Sequence, residues 1–220
     1  MKRARAWAGF ILLLIAACPL FALPTRPSVD SDECSSGPEF HDASLRTVVF
    51  RDKARGFRAY GELRVRRGAK TGECLATYRL WTARLAGAYS IAKSLDFQLE
   101  EDQIAAIELI GFSSDGTKFA ADFEWGEGDS TIHHPVVIDR TSGEVADLAL
   151  DDRLQKRLHP HGCDQAEDFI GVTNAGEAVF AIPPSIYDNS PECGDKGVWR
   201  FNLKTGRVYR VAKISGVKWR

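Results

Sequence analysis

Apolar and polar residues alternate along most of this chain with the two-residue period of a strand, and only one short stretch keeps a helical period. Leu45 to Phe50 is a β-branched run. Phe57-Arg58-Ala59-Tyr60 and Leu63-Arg64-Val65-Arg66 set apolar against polar or basic positions, as a half-buried strand does. Cys74 to Thr82 predicts a further strand, whereas Ser90-Ile91-Ala92-Lys93 fits a strand or a helical turn and Leu99-Glu100-Glu101-Asp102 looks exposed. From Ile107 to Leu148 two hairpins follow in series. Their turns fall at Ser114-Asp115-Gly116 and Thr141-Ser142-Gly143, where glycine accepts the positive φ that tight hairpin turns need. Leu150, Leu154 and Leu158 lie on one face of a predicted helix over 148–158, which Pro160 stops. Residues 23–44, rich in Pro, Ser, Asp and Gly, read as a flexible tether, with Cys34 a point at which its end is pinned to the domain.

The hairpin pattern repeats. Glu108-Leu109-Ile110-Gly111-Phe112-Ser113-Ser114-Asp115-Gly116 aligns with Asp168-Phe169-Ile170-Gly171-Val172-Thr173-Asn174-Ala175-Gly176 at an offset of 60. Val137 to Val145 aligns with Arg200 to Val208 at an offset of 63, the difference lying in the insert between the hairpins. A fainter echo runs from Phe50-Arg51-Asp52 through Phe57–Tyr60 to Thr71-Gly72-Glu73.

Phe112-Ser113-Ser114-Asp115-Gly116 with Asp139-Arg140-Thr141-Ser142-Gly143 resembles the Phe-Ser-Pro-Asp-Gly and Asp-x-x-Thr-Gly hairpins of TolB-like, WD40-like β-propeller blades, with Ser114 in place of proline. The resemblance covers about half of the mature chain and implies an all-β fold of about three to four blade-like units. Propellers usually close with at least four blades. The expected sheet assembly is therefore an open fragment, a very small ring or half of a dimer, built by one domain over 45–220.

The amino terminus adds a compartment. Lys2, Arg3 and Arg5 precede an apolar run from Trp7 to Ala17, the pattern of a bacterial export signal. Ile15-Ala16-Ala17-Cys18 resembles a lipobox, in which Cys18 becomes a lipid anchor; an ordinary signal peptide ending near Ala22 would instead discard it. The expected location is the periplasm or a lipid-anchored place on the bacterial envelope. Loss of the three basic residues lowers the formal charge from −1 by three, to −4. That balance, with no basic tract, excludes nucleic acid as the expected partner. Composition is otherwise ordinary: 220 residues, 44% hydrophobic and 27% charged, enough for one core.

Without Cys18 four cysteines remain, and an even count in an exported domain predicts two disulfides. Three pairings exist. Cys34–Cys74 and Cys163–Cys193 is favoured because each joins one local segment.

Candidate chemistry concentrates in the inserts. The repeat aligns residues 124–135 with 183–197, which places both on one face as loops. Trp125, Glu127, Asp129, His133, His134, Tyr187 and Asp188 are the expected binding residues, with Trp125 and Tyr187 exposed as anchors for a protein partner in the envelope. Arg64, Arg66 and Arg67 suggest an anionic ligand, against the plainer reading of a solvated strand face. His133, His134, His159 and His161, with Asp129, Asp164 or Asp168, offer metal donors, although neighbours on a strand point to opposite faces. No His-Glu-x-x-His, Gly-x-Ser-x-Gly or phosphate-binding glycine loop occurs, and Asp151-Asp152 suits a helix N-terminus. The sequence therefore points to a non-catalytic, cofactor-free and metal-free binding or scaffold protein. Its alternative is a small metal-dependent hydrolase built on the histidine region.

Overall fold

A computed structural model describes residues 26–35, 42–69, 73–127, 130–147, 168–182, 197–202 and 204–211. The predicted helix at 148–158, the candidate anchor Cys18 and the pair Cys163–Cys193 lie outside them, as do Asp129, Tyr187, Asp188, His159 and His161. Among the described residues the chain is almost entirely β, in three antiparallel sheets.

The first sheet runs β2 (Ala43–Arg46), β4 (Phe57–Arg67), β5 (Cys74–Arg84) and β6 (Ser90–Leu99), with β3 (Phe50–Asp52) also paired to β4. The open question over Ser90–Lys93 is thus answered by a ten-residue strand. Leu99, expected exposed, is buried, while Glu100 and Asp102 are exposed. The middle sheet orders β1 (Ser28–Asp30), β7 (Ile104–Phe112), β8 (Lys118–Glu127), β9 (Ser130–Asp139) and β10 (Val145–Asp147). The third sheet orders β11 (Asp168–Val172), β12 (Glu177–Ile182), β13 (Gly197–Asn202) and β14 (Val208–Val211).

The tether expectation needs correction. Val29 is buried, β1 pairs with β7, and the short helix α1 (Ser31–Ser35) carries Cys34 to a disulfide with Cys74. Arg67 donates two hydrogen bonds to the Cys34 carbonyl, at 3.1 and 3.2 Å, and Gln103 N–H donates to Ser31 Oγ at 2.9 Å. Proline and serine content misled because an edge strand needs backbone partners more than apolar composition. Residues 28–35 act as a strap, hydrogen-bonded to the middle sheet and covalently tied to the first.

Two cores separate the three layers. Phe57, Leu63, Val65, Tyr78 and Leu80 of the first sheet meet Ile107, Phe119, Phe123, Trp125 and Val136 of the middle one. On its other face, Ala120 and Val137 pack with Phe169, Val172, Phe180, Trp199 and Phe201 of the third sheet. A sheet covered on both sides loses the usual polar outer row. Accordingly β8 is buried from Phe119 to Gly126, its Asp122 and Glu124 included.

The repeat carries through to the hydrogen bonding. The β7–β8 ladder slips between Leu109 and Gly111, and β11–β12 slips between Phe169 and Gly171. Both glycines have positive φ, 115° and 151°, at this shared bulge. Ser113 N–H bonds Lys118 O at 3.0 Å, and Thr173 N–H bonds Glu177 O at 2.9 Å. In the second hairpin Asp139 Oδ1 accepts from the Thr141 and Ser142 amides, just as Asn202 Oδ1 accepts from Lys204 and Thr205.

Asp139 differs from Asn202 in its charge, and Lys118 pairs with it. Hydrogen bonding from Lys118, then from the two turn amides, pulls its carboxyl down to about 2. A depressed acid stabilises the fold above its unfolded value, 3.8, and loses that contribution as pH falls toward about 2. Asp139→Asn is expected to keep the turn, as Asn202 does. Its stability deficit against wild type, measured by urea unfolding from pH 6 downward, should be constant above about pH 5 and shrink as pH falls below about 4. A gap independent of pH would contradict the assignment.

Candidate functional site

The extended hairpin β8–β9 changes the expected site. Residues 124–127 and 130–135 are strand rather than loop: Glu127 pairs with Ser130, and the ladder runs back to Lys118 and Asp139. Trp125, expected as an exposed anchor, is 7% exposed and packs on Tyr78, Phe97 and His134. Alternation forces this, since Phe119, Ala121, Phe123 and Trp125 all turn toward the first sheet. Glu127 remains exposed at the strand end.

The two histidines diverge. His133 stands opposite Glu124, and His134 opposite Phe123. On the first-sheet side, His134 Nε2 meets Asp147 Oδ2 at 3.0 Å, and Lys93 of β6 reaches the same oxygen at 2.5 Å. Burial alone would raise the Asp147 carboxyl, but the Lys93 and His134 hydrogen bonds outweigh it and hold it below the usual range. This trio links β6 of the first sheet to β9 and β10 of the middle sheet through one carboxylate oxygen.

On the opposite face lie Asp122, Glu124 and His133. His133 Nδ1 is 2.6 Å from Asp122 Oδ2, while Arg26 pairs with Glu124. Burial pushes the Glu124 carboxyl up and Asp122 adds to this; Arg26 and His133 oppose it without cancelling it. The Glu124 carbonyl accepts the Tyr78 hydroxyl at 2.6 Å, and burial keeps that phenol protonated. Of this group the sequence reading named only His133 as a site residue; Glu124 merely opened the expected insert, and Asp122 and Arg26 were not singled out. The two-residue spacing from Glu127 to Ser130 was the available signal, because it fixes Glu124 opposite His133 and Asp122 one pair further along the same face.

A second assembly occupies the outer face of the first sheet. Glu62 is fully buried beneath Arg46, Arg64 and Arg79 and accepts the Trp81 indole N–H at 3.1 Å. Burial would raise its carboxyl, yet the Arg64, Arg46 and Trp81 hydrogen bonds prevail and lower it. Trp81 stacks on Tyr60 with centroids 5.9 Å apart, Tyr89 meets Tyr60 edge-on at 4.9 Å, and Arg58 lies over Tyr89 at 4.4 Å. The three rings are half-buried, and the Arg46 and Arg64 side chains are about half exposed, at 59% and 49%. Of the three arginines singled out by sequence, Arg64 joins this face, Arg66 is exposed, and Arg67 is committed to Cys34.

Between the turn ends of the first and middle sheets is a cleft of about 590 Å³. Arg55, Arg84 and Arg140 line it, but Arg55 pairs with Asp52 and Arg140 bonds the Arg55 and Gly116 carbonyls, so two of these cations serve the turns. No family model matches the chain, and no curated protein or solved structure matches it either.

Proposed function

We propose that this protein is an exported, non-catalytic binding module that holds an acidic protein partner against the outer face of its first sheet. The observation that carries this reading is the gathering of Arg46, Arg58, Arg64 and Arg79 around Tyr60, Trp81 and Tyr89, with Glu62 buried beneath them. Asp96, hydrogen-bonded by Thr77, stands at the far edge. Arginine and large aromatics are the side chains that most often anchor protein interfaces. Here a single buried carboxylate and π-faces fix the guanidinium groups in place, so little side-chain entropy remains to be lost on binding. The rigid sheet, rather than an insert, presents them.

Export and the blade-like architecture belong to the same proposal. The Cys34–Cys74 disulfide supports an oxidising compartment, in keeping with the signal-like start. The repeated bulge and turn geometry supports blade-like units, arranged here as three stacked sheets.

The test is capture from an envelope fraction by the immobilised protein, in parallel with Arg46→Ala/Arg64→Ala and Tyr60→Ala variants whose circular dichroism matches wild type. An acidic protein retained by wild type should weaken with rising salt and bind the variants at least about 30-fold less well, the equivalent of a hot-spot loss of about 2 kcal/mol. Equal retention by all three proteins would disprove the assigned surface.

A further inference from the structure

We propose that Asp122, Glu124 and His133 form a binding site for one divalent transition-metal ion of the zinc class. One donor atom from each residue lies within 4.8 Å of the others, and all three side chains are buried. The β8–β9 ladder preorganises them: Glu124 and His133 are directly opposed, and Asp122 lies two residues from Glu124 on the same face.

A self-sufficient buried network is the competing account, and it leaves one atom unexplained. The His133 contact satisfies Asp122 Oδ2 and Arg26 satisfies one oxygen of Glu124. Asp122 Oδ1 is buried and makes no hydrogen bond, although Asp122 is only 1% exposed. A carboxylate oxygen withdrawn from water without a partner is costly, and native cores rarely tolerate one without an ion, a water or a catalytic purpose. A cation set among the three donors supplies that partner.

Donor chemistry selects the ion. One imidazole nitrogen with two carboxylates suits zinc and its neighbours, whereas calcium and magnesium take oxygen donors alone. Zinc would replace the proton held between His133 Nδ1 and Asp122 Oδ2, which leaves to solvent. Three protein donors leave a fourth position for water or an anionic group of a ligand. Arg26, its side chain half exposed, lies over Glu124 at the edge of the cluster. It balances the second carboxylate and must move aside for the ion to enter.

The test uses purified, chelator-treated protein titrated with zinc chloride by calorimetry, and with cobalt(II) by visible absorption. One zinc per chain and cobalt d–d bands of a low-coordinate nitrogen–oxygen site are expected. Loss of hydrogen-bonding partners around metal ligands alone costs about 10–100-fold in affinity, so Asp122→Asn should bind zinc at least about 100-fold more weakly. Glu124→Gln should do the same, which keeps the test decisive where Asp122→Asn fails to fold. Arg26→Ala should bind as tightly as wild type or more so, and a His159→Ala/His161→Ala variant should be unchanged. Failure of wild type to bind zinc overturns the proposal. So does wild-type affinity in a folded cluster variant, or binding that disappears only with His159 and His161.

Discussion

Replacing Phe119 with alanine is expected to cost about 3–5 kcal/mol, the range for deleting a buried phenylalanine ring. The ring has no exposed surface, and its centroid lies 5.0–5.3 Å from those of Phe57, Phe112 and Phe50. Two of these partners come from the first sheet and one from β7, so the cavity would open where the first and middle layers meet. Backbone ladders on all sides limit how far the site can collapse, and that places the loss toward the upper part of the range. Domains commonly hold only about 5–15 kcal/mol in total, so the variant should be marginal at room temperature. Phe119→Leu retains most of the volume and should cost far less, about 1.5 kcal/mol or slightly more. Urea denaturation of both variants measures the difference, and a Phe119→Ala loss below about 1.5 kcal/mol would mean that the four-ring cluster does not fasten the layers.

The double variant Cys34→Ser/Cys74→Ser should show a comparable loss. The bond joins positions 40 residues apart. Closing a loop of that length lowers the entropy of the unfolded chain by an amount worth about 4 kcal/mol at 25 °C. For a protein of this size, that corresponds to a melting temperature lower by roughly 8–16 °C. The loss should be uneven, because the strap keeps its β1–β7 hydrogen bonds while its tie to the first sheet is cut. Hydrogen exchange should therefore accelerate first at α1 and at the β4–β5 end beside Arg67 and Cys74. Thermal unfolding that does not differ between the variant and wild type would show that the bond constrains nothing beyond what the ladders already hold.

The two charged assemblies hold opposite kinds of buried carboxylate. Glu62 is paired several times over, and Arg46 and Arg64 are about half exposed, so that face can offer guanidinium groups to a partner while Glu62 still holds them. Asp122 is the reverse: it is enclosed within the middle sheet's second face and short of one partner. The first arrangement suits a surface that binds a macromolecule, and the second suits a small cation.

Much of this was legible in the residues. The all-β fold, the turn positions and the 60-residue repeat all follow from local chemistry: a two-residue period, glycine at positive φ, and Asp or Asn capping its own turn. Cys34–Cys74 was legible because its two ends fall in one segment. What stayed hidden depended on which faces were covered. Along β8 the apolar Phe119, Ala121, Phe123 and Trp125 alternate with Ala120, Asp122 and Glu124, which reads like a strand with one wet side. That side is buried as well, with the third sheet packed on Ala120 and Val137 and Arg26 paired to Glu124, so both carboxylates are interior. The same layering turned Trp125 from an expected anchor into core, and most of the expected insert is strand, in β8 up to Glu127 and in β9 from Ser130. Local sequence thus determined the glycine turns and most of the strands, because those depend on backbone conformation within a few residues, but not β1 or the facing ends of β8 and β9. Only the tertiary structure decided that Asp122, Glu124 and His133 meet, that Arg26 reaches Glu124 across 98 positions, and that four arginines share one face, because burial and charge pairing are properties of layers stacked from distant parts of the chain.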